Sequence, residues 1–233
     1  MSSLRTTYLV TYNSINALLW LYIFSSIVVS PFQSPQTTYS TLEPWTRWTQ
    51  TIAILEILHA SLGKSSPSPQ YLSLTRSPIF TTFTQIFARS VQVWAINYAY
   101  PETTSPSPAY KYMLLAWSFA DAIRYSYFAV LSAGAPVPSL LRWLRYSLFL
   151  ILYPVGIGSE WWLMFQALRV TNSIPVQALF IFFLFLYGPD GMELWFVNAC
   201  VCVLGSPMMY SYMVKQRKKT LAGGKKERKE KKG

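Results

Sequence analysis

The stretch LYPVGIGSE, Leu152 to Glu160, lies inside an apolar run that otherwise has the look of a membrane span. A proline removes a backbone donor, glycines loosen a helix, and a carboxylate is expensive in lipid. None of these suits a helix that only spans. The stretch therefore predicts a special segment within a membrane protein, and the rest of the chain supports that class.

The chain has 233 residues, 52% of them hydrophobic and only 12% charged. Soluble domains carry about 25% charged residues, so this chain cannot cover a soluble exterior. The formal charge is +11, but from Lys215 onward the tail holds ten of the twenty Lys and Arg residues and two acids. A basic tail beside a span is a topological signal or an anionic-lipid contact. No nucleic-acid fold accompanies it, so nucleic acid is excluded as a partner. Cys200 and Cys202 sit in an apolar helix without a neighbouring His and read as small buried hydrophobes. No metal site or disulfide framework is predicted.

Working outward, apolar runs predict an all-α integral membrane bundle of six transmembrane helices. The spans are expected near 8–29, 47–62, 79–99, 112–131, 139–168 and 192–213. Residues 1–214 then form the membrane domain, and 215–233 have the composition of a disordered tail. The segment Gln177 to Gly188 is apolar but short, and suits either a re-entrant or interfacial piece or part of an extended sixth helix pair. With both termini cytosolic, Arg5, Lys64, Arg76, Arg142, Arg145 and the tail fall inside. Arg47, Lys111 and Arg169 fall outside, diluted by Glu43, Glu102, Asp190 and Glu193. That asymmetry obeys the positive-inside rule. Lys229 and Lys231 are the fifth and third residues from the end, resembling the K-x-K-x-x retrieval signal of endoplasmic reticulum membrane proteins.

Ionisable residues within spans are functional candidates by default. Glu56 and His59 lie in the second expected span, Arg89 in the third, Asp121 and Arg124 in the fourth, and Glu160 in the fifth. Their charges nearly cancel, which predicts a shared buried network. Asp121 and Arg124, at i and i+3, share a face with Trp117 and Phe128, while Gln85 and Arg89 give the third helix a polar stripe. Tyr153 and Glu160 are two helical turns apart, about 10 Å along the axis on a regular helix. Pro154 crowds the carbonyl of Leu150 and predicts a kink that draws phenol and carboxylate together. A phenol donates a proton and a carboxylate accepts one, a pairing suited to eliminating water from a small substrate.

The ordered segments YLVTYNSINALLW, LEILHASLG, QIFARS, WSFADAIRYSY and LRWLRYSLFLILYPVGIGSE resemble the very-long-chain (3R)-3-hydroxyacyl-CoA dehydratases, also called the protein-tyrosine-phosphatase-like A family. The resemblance runs up to Glu160. It implies a lyase of the endoplasmic reticulum membrane that acts in the third step of fatty-acid elongation, converting a (3R)-3-hydroxyacyl-CoA to a trans-2-enoyl-CoA. Tyr153 and Glu160 match the family's catalytic pair. Gln85, Arg89, Asp121, Arg124, Tyr125 and Arg145 are substrate-binding candidates. Acyl-CoA, membrane lipid and other elongation enzymes are the implied partners, with no metal or redox cofactor. Two departures stand out: Asp121 replaces the family's usual Glu, and an apolar segment precedes the last span. The older family name suggests phosphatase chemistry, but no C-x5-R phosphate loop is present. The competing reading is a non-catalytic membrane scaffold or regulator of the elongation complex.

Overall fold

The structure is a computed structural model that describes residues 3–57 and 79–187. His59, Lys64, Arg76, the expected last span, Cys200, Cys202 and the basic tail lie outside the described residues.

Every described element is helical. α1 covers Ser3–Val29, α2 Pro35–Ile52 and α3 Ile79–Val91, followed by a π-helical segment Gln92–Tyr98. A single turn, α4, covers Pro101–Thr104, and α5 covers Pro108–Ser132. α6 covers Ser139–Ser147, α7 Phe149–Val170 and α8 Ile174–Tyr187.

α5 is the axis of the bundle. Against its one side packs α1, through a stacked Phe24–Phe119 pair with centroids 4.8 Å apart and an edge contact of Tyr12 on Tyr125. α7 packs on another side, and Leu163, Met164 and Ala167 join Trp20, Ile23, Met113 and Leu114 in one core. Gly156 belongs to this contact, because a Cβ there would stand 3.6 Å from the Cβ of Ala116. That is an ordinary contact distance, and Gly158 faces open space, so neither glycine of the quoted stretch is required by close approach. Lys111, in the first turn of α5, donates to the carbonyls of Pro31 and Gln33 and ties the α1–α2 connection to the bundle.

Among the described residues one helical stretch, Thr6–Val29, is long and apolar enough to cross a membrane. α6 and α7 together would make a second such span, bent by 43°. α1 carries apolar side chains all round, with Leu18, Leu21 and Val28 exposed opposite buried Trp20, Ile23 and Ile27.

α2 corrects the expected second span. It begins twelve residues before Arg47, where Ser34 caps the helix by accepting from the Thr37 N–H and Pro35 takes the first helical position. Thr38, Glu43, Thr46, Thr49 and Gln50 are buried against protein, so the helix is polar where an isolated span must be apolar. α8 runs to the limit of the described residues at Tyr187.

The bend also differs from expectation. α7 runs unbroken through Pro154 to Val170, and the bend falls at Leu148 and Phe149. Leu150 follows directly, and its carbonyl is the one that loses a donor to Pro154. The kink therefore separates α6 from α7 and does not lie between Tyr153 and Glu160. Pro154→Ala restores that donor and should straighten the junction. Spin labels at the exposed positions Leu140 and Val170 should then move apart in electron–electron resonance, and an unchanged distance would assign the bend to packing instead.

Candidate active site

The site grows from one face of α5. Trp117, Asp121, Arg124 and Tyr125 recur at helical spacing and point between α1, α3 and α7. Asp121 is buried and holds two arginines. Its Oδ2 lies 2.7 Å from Nη1 of Arg89 on α3, and its Oδ1 accepts from Nε of Arg124 at 3.0 Å. Arg124 turns its other nitrogens to Glu56, at 3.0 Å and 3.3 Å, in the two-pronged geometry that suits guanidinium and carboxylate. Glu56 sits in a helical turn just after α2, set by its N–H to the carbonyl of Ala53. The Tyr125 hydroxyl donates to Glu56, and the Arg124 guanidinium lies over the Tyr125 ring at 4.3 Å. Two carboxylates and two arginines from three segments of chain thus cancel, as the charge count predicts.

Trp117 joins Glu160 to this network. Trp117 donates its indole N–H to Oε1 of Glu160 at 2.7 Å. The Arg89 guanidinium stacks on the opposite partner, lying 3.9 Å from the Trp117 ring centroid and 5.6 Å from that of Trp20. Glu160 is 6% exposed and Trp117 5%, so the hydrogen bond is shielded. Gly156 borders it: a Cβ there would come within 3.8 Å of Trp117 Cδ1 and 3.9 Å of Glu160 Oε1.

Of the sequence candidates, the structure brings Arg89, Asp121, Arg124 and Tyr125 into one cluster, with Glu160 attached through Trp117. Tyr153 lies half-buried on α7, two regular turns before Glu160. Gln85 occupies an exposed position one turn before Arg89. Arg145, on α6, approaches the Phe128 ring at 5.8 Å. Trp117 as the partner of Glu160, Glu56 as the partner of Arg124, and Tyr12 against Tyr125 escaped the sequence reading. The one signal for Glu56 is the charge balance, and Trp117 carried only its place on the Asp121 face. No three His, Cys, Asp or Glu side chains among the described residues group as metal ligands.

The family model described as "Protein tyrosine phosphatase-like protein, PTPLA" matches residues 50–223, most of the chain. The chain belongs to that family. Among its relatives, the "Very-long-chain (3R)-3-hydroxyacyl-CoA dehydratase PASTICCINO 2A" of Oryza sativa subsp. japonica is 34% identical over 225 residues, covering 96% of this chain and 97% of the relative. The "Very-long-chain (3R)-3-hydroxyacyl-CoA dehydratase hpo-8" of Caenorhabditis elegans is 35% identical over 95% of this chain and 98% of its own. The human "Very-long-chain (3R)-3-hydroxyacyl-CoA dehydratase 2" is 27% identical over 94% of this chain and 82% of its own. No solved structure matches the chain.

Within this PTPLA member, Asp121 is the joint between two guanidinium groups. Asp121→Asn leaves Arg89 and Arg124 facing each other and should destabilise the protein by roughly 3–5 kcal/mol. Asp121→Glu keeps the charge and should lose far less. Thermal unfolding of the two variants in detergent, beside the wild type, checks the difference.

Proposed function

We infer that the chain is a very-long-chain (3R)-3-hydroxyacyl-CoA dehydratase, a lyase that removes water to give the trans-2-enoyl-CoA. The observation that carries this reading is similarity over nearly the whole chain to relatives of that name. The presence of Tyr153 and Glu160 on one continuous helix supports it.

In the mechanism we propose, the Glu160 carboxylate takes the C2 proton. The C3–O bond breaks, and the Tyr153 phenol protonates the departing hydroxyl, which leaves as water. The double bond forms between C2 and C3. The proton on Glu160 then returns to the tyrosinate, directly or through water, and both groups are reset. Negative charge gathers on the thioester oxygen as C2–H breaks, and a fixed donor there lowers the barrier. Arg89 suits this role: its guanidinium lies beside Trp117, and its Nε is buried without a hydrogen-bond acceptor. Gln85, one turn away, is the second candidate. Asp121 holds Arg89 in place and is itself held by Arg124. Arg142 and Arg145, both on α6, are the cations assigned to attract the CoA phosphates.

The reading carries a membrane setting with it: six spans, both termini cytosolic, in the endoplasmic reticulum. It is supported by the Lys and Arg asymmetry, by the apolar α1 and by the α6–α7 pair. The acyl chain lies among the apolar helices. Enzymes that reduce the preceding 3-ketoacyl-CoA and the resulting enoyl-CoA are the partners such a lyase needs.

Turnover of a long-chain 3-hydroxyacyl-CoA by the purified protein in detergent, with detection of the enoyl-CoA, tests the reading. Tyr153→Phe and Glu160→Gln should each lower kcat by about 100- to 10,000-fold, the range for a lost acid or base. Folding, followed by circular dichroism, should remain intact. A well-folded wild type inactive across chain lengths would favour a scaffold of the elongation complex. A variant with full turnover would remove that residue from the mechanism.

A further inference from the structure

We propose that Trp117 is a positioning residue for the dehydration, setting the orientation of the Glu160 carboxylate through its indole N–H. The proposal rests on the dehydratase reading and on Glu160 acting as its base. Indole is a donor with no acceptor capacity, so a carboxylate is the partner it holds most strongly. The 2.7 Å separation is that of a short, charge-assisted bond, and both side chains are almost wholly buried. Water therefore cannot replace the donor cheaply once it is removed.

Two further contacts fix the indole itself. The Arg89 guanidinium lies 3.9 Å from its ring centroid, and Arg89 is in turn anchored on Asp121 at 2.7 Å. A cation over the ring face draws electron density from the indole and makes its N–H a stronger donor. On the other flank Gly156 borders both groups, where a Cβ would meet the nearest indole atom at an ordinary contact distance of 3.8 Å. The ion network thereby reaches Glu160 through the indole. The indole also favours the charged carboxylate, but as a neutral donor it opposes proton uptake less than a paired guanidinium would.

A tryptophan joining α5 to α7 could also serve packing alone, and the test separates the two roles. Trp117→Phe keeps an aromatic face for Arg89 and removes the donor. A second variant carries 3-benzothienylalanine at position 117, which matches the indole in shape with sulfur in place of N–H. Both are measured as full-length protein in detergent, in the wild-type and Glu160→Gln backgrounds. The expected result is a fall in kcat of about 10- to 100-fold, the worth of one hydrogen bond to a charged group. KM should stay within twofold, and the unfolding midpoint should fall by only a few degrees, the cost of one buried acceptor left without its donor. In the Glu160→Gln background the same replacements should lower the residual kcat by less than twofold, because coupled residues are not additive.

Full turnover in the benzothienylalanine variant would overturn the proposal. So would an equal loss in both backgrounds, which would show that Trp117 acts independently of Glu160. Full turnover in Glu160→Gln alone would instead overturn the assignment of Glu160 as base. The two failures are thus distinguishable.

Discussion

Charges placed among apolar helices must be matched, and that constraint organises this bundle. Removing an ion from water costs several kcal/mol even after relaxation. Asp121 answers it by holding Arg89 and Arg124 together, while Glu56 closes the far side of Arg124. The partners come from α3, from α5 and from the turn after α2. A one-residue slip of any of these segments would move a charge off its partner. The network therefore contributes register more than net stability, since an apolar cluster of equal volume would avoid the desolvation altogether. What it secures is the one arrangement in which Arg89 lies against Trp117.

A second buried charge pair shows what such a group does when it has no further connection. Glu43 and Arg47 are neighbours on α2, at i and i+4, with the ion pair 3.0 Å long. Arg47 is covered by Tyr98 at 3.9 Å and Trp94 at 5.0 Å. The π-helical segment beneath is held by Gln92 donating to Asn97 and by Tyr39 donating to the Asn97 carbonyl. Each group here ends on its own helix or on a neighbour that packs it. This cluster closes on itself and fixes α2 against the π segment.

Much of the fold was legible because the apolar period and its breakers are local. Pro31, the Pro- and Ser-rich turns and Gly134 bracket α1 and α5 close to where the sequence puts them. Gly134 itself takes a positive φ of 74°, the left-handed conformation that ends a helix. α2 was misplaced because burial against protein lets Glu43 and Gln50 occupy a helix that hydropathy rejects. The bend was misplaced because a proline's steric effect acts on the preceding turn, towards Leu150, rather than ahead of it. The charged members of the site were legible too, since a carboxylate or guanidinium in an apolar run has no cheap explanation. Their partners were not. Trp117 and Glu160 are 43 residues apart, and Arg124 and Glu56 are 68 apart. Nothing local joins such positions, and a tryptophan in an apolar helix reads as core.

The difference between the two polar clusters also bears on LYPVGIGSE. Its carboxylate reaches across to α5 through Trp117 at 2.7 Å, whereas Glu43 pairs with Arg47 on its own helix. Gly156 borders that bond at ordinary contact distance, and the bend between α6 and α7 lies just before Pro154, at Leu148 and Phe149. The polar headgroup of an acyl-CoA and its reacting carbons require different surroundings, the first wet and cationic, the second dry and shaped. In the mechanism we propose, those two requirements divide along one bent segment, with the arginines of α6 before the bend and Tyr153 and Glu160 on α7 after it. On that reading, the residues that disqualify the stretch as a plain span are the ones that equip it for chemistry.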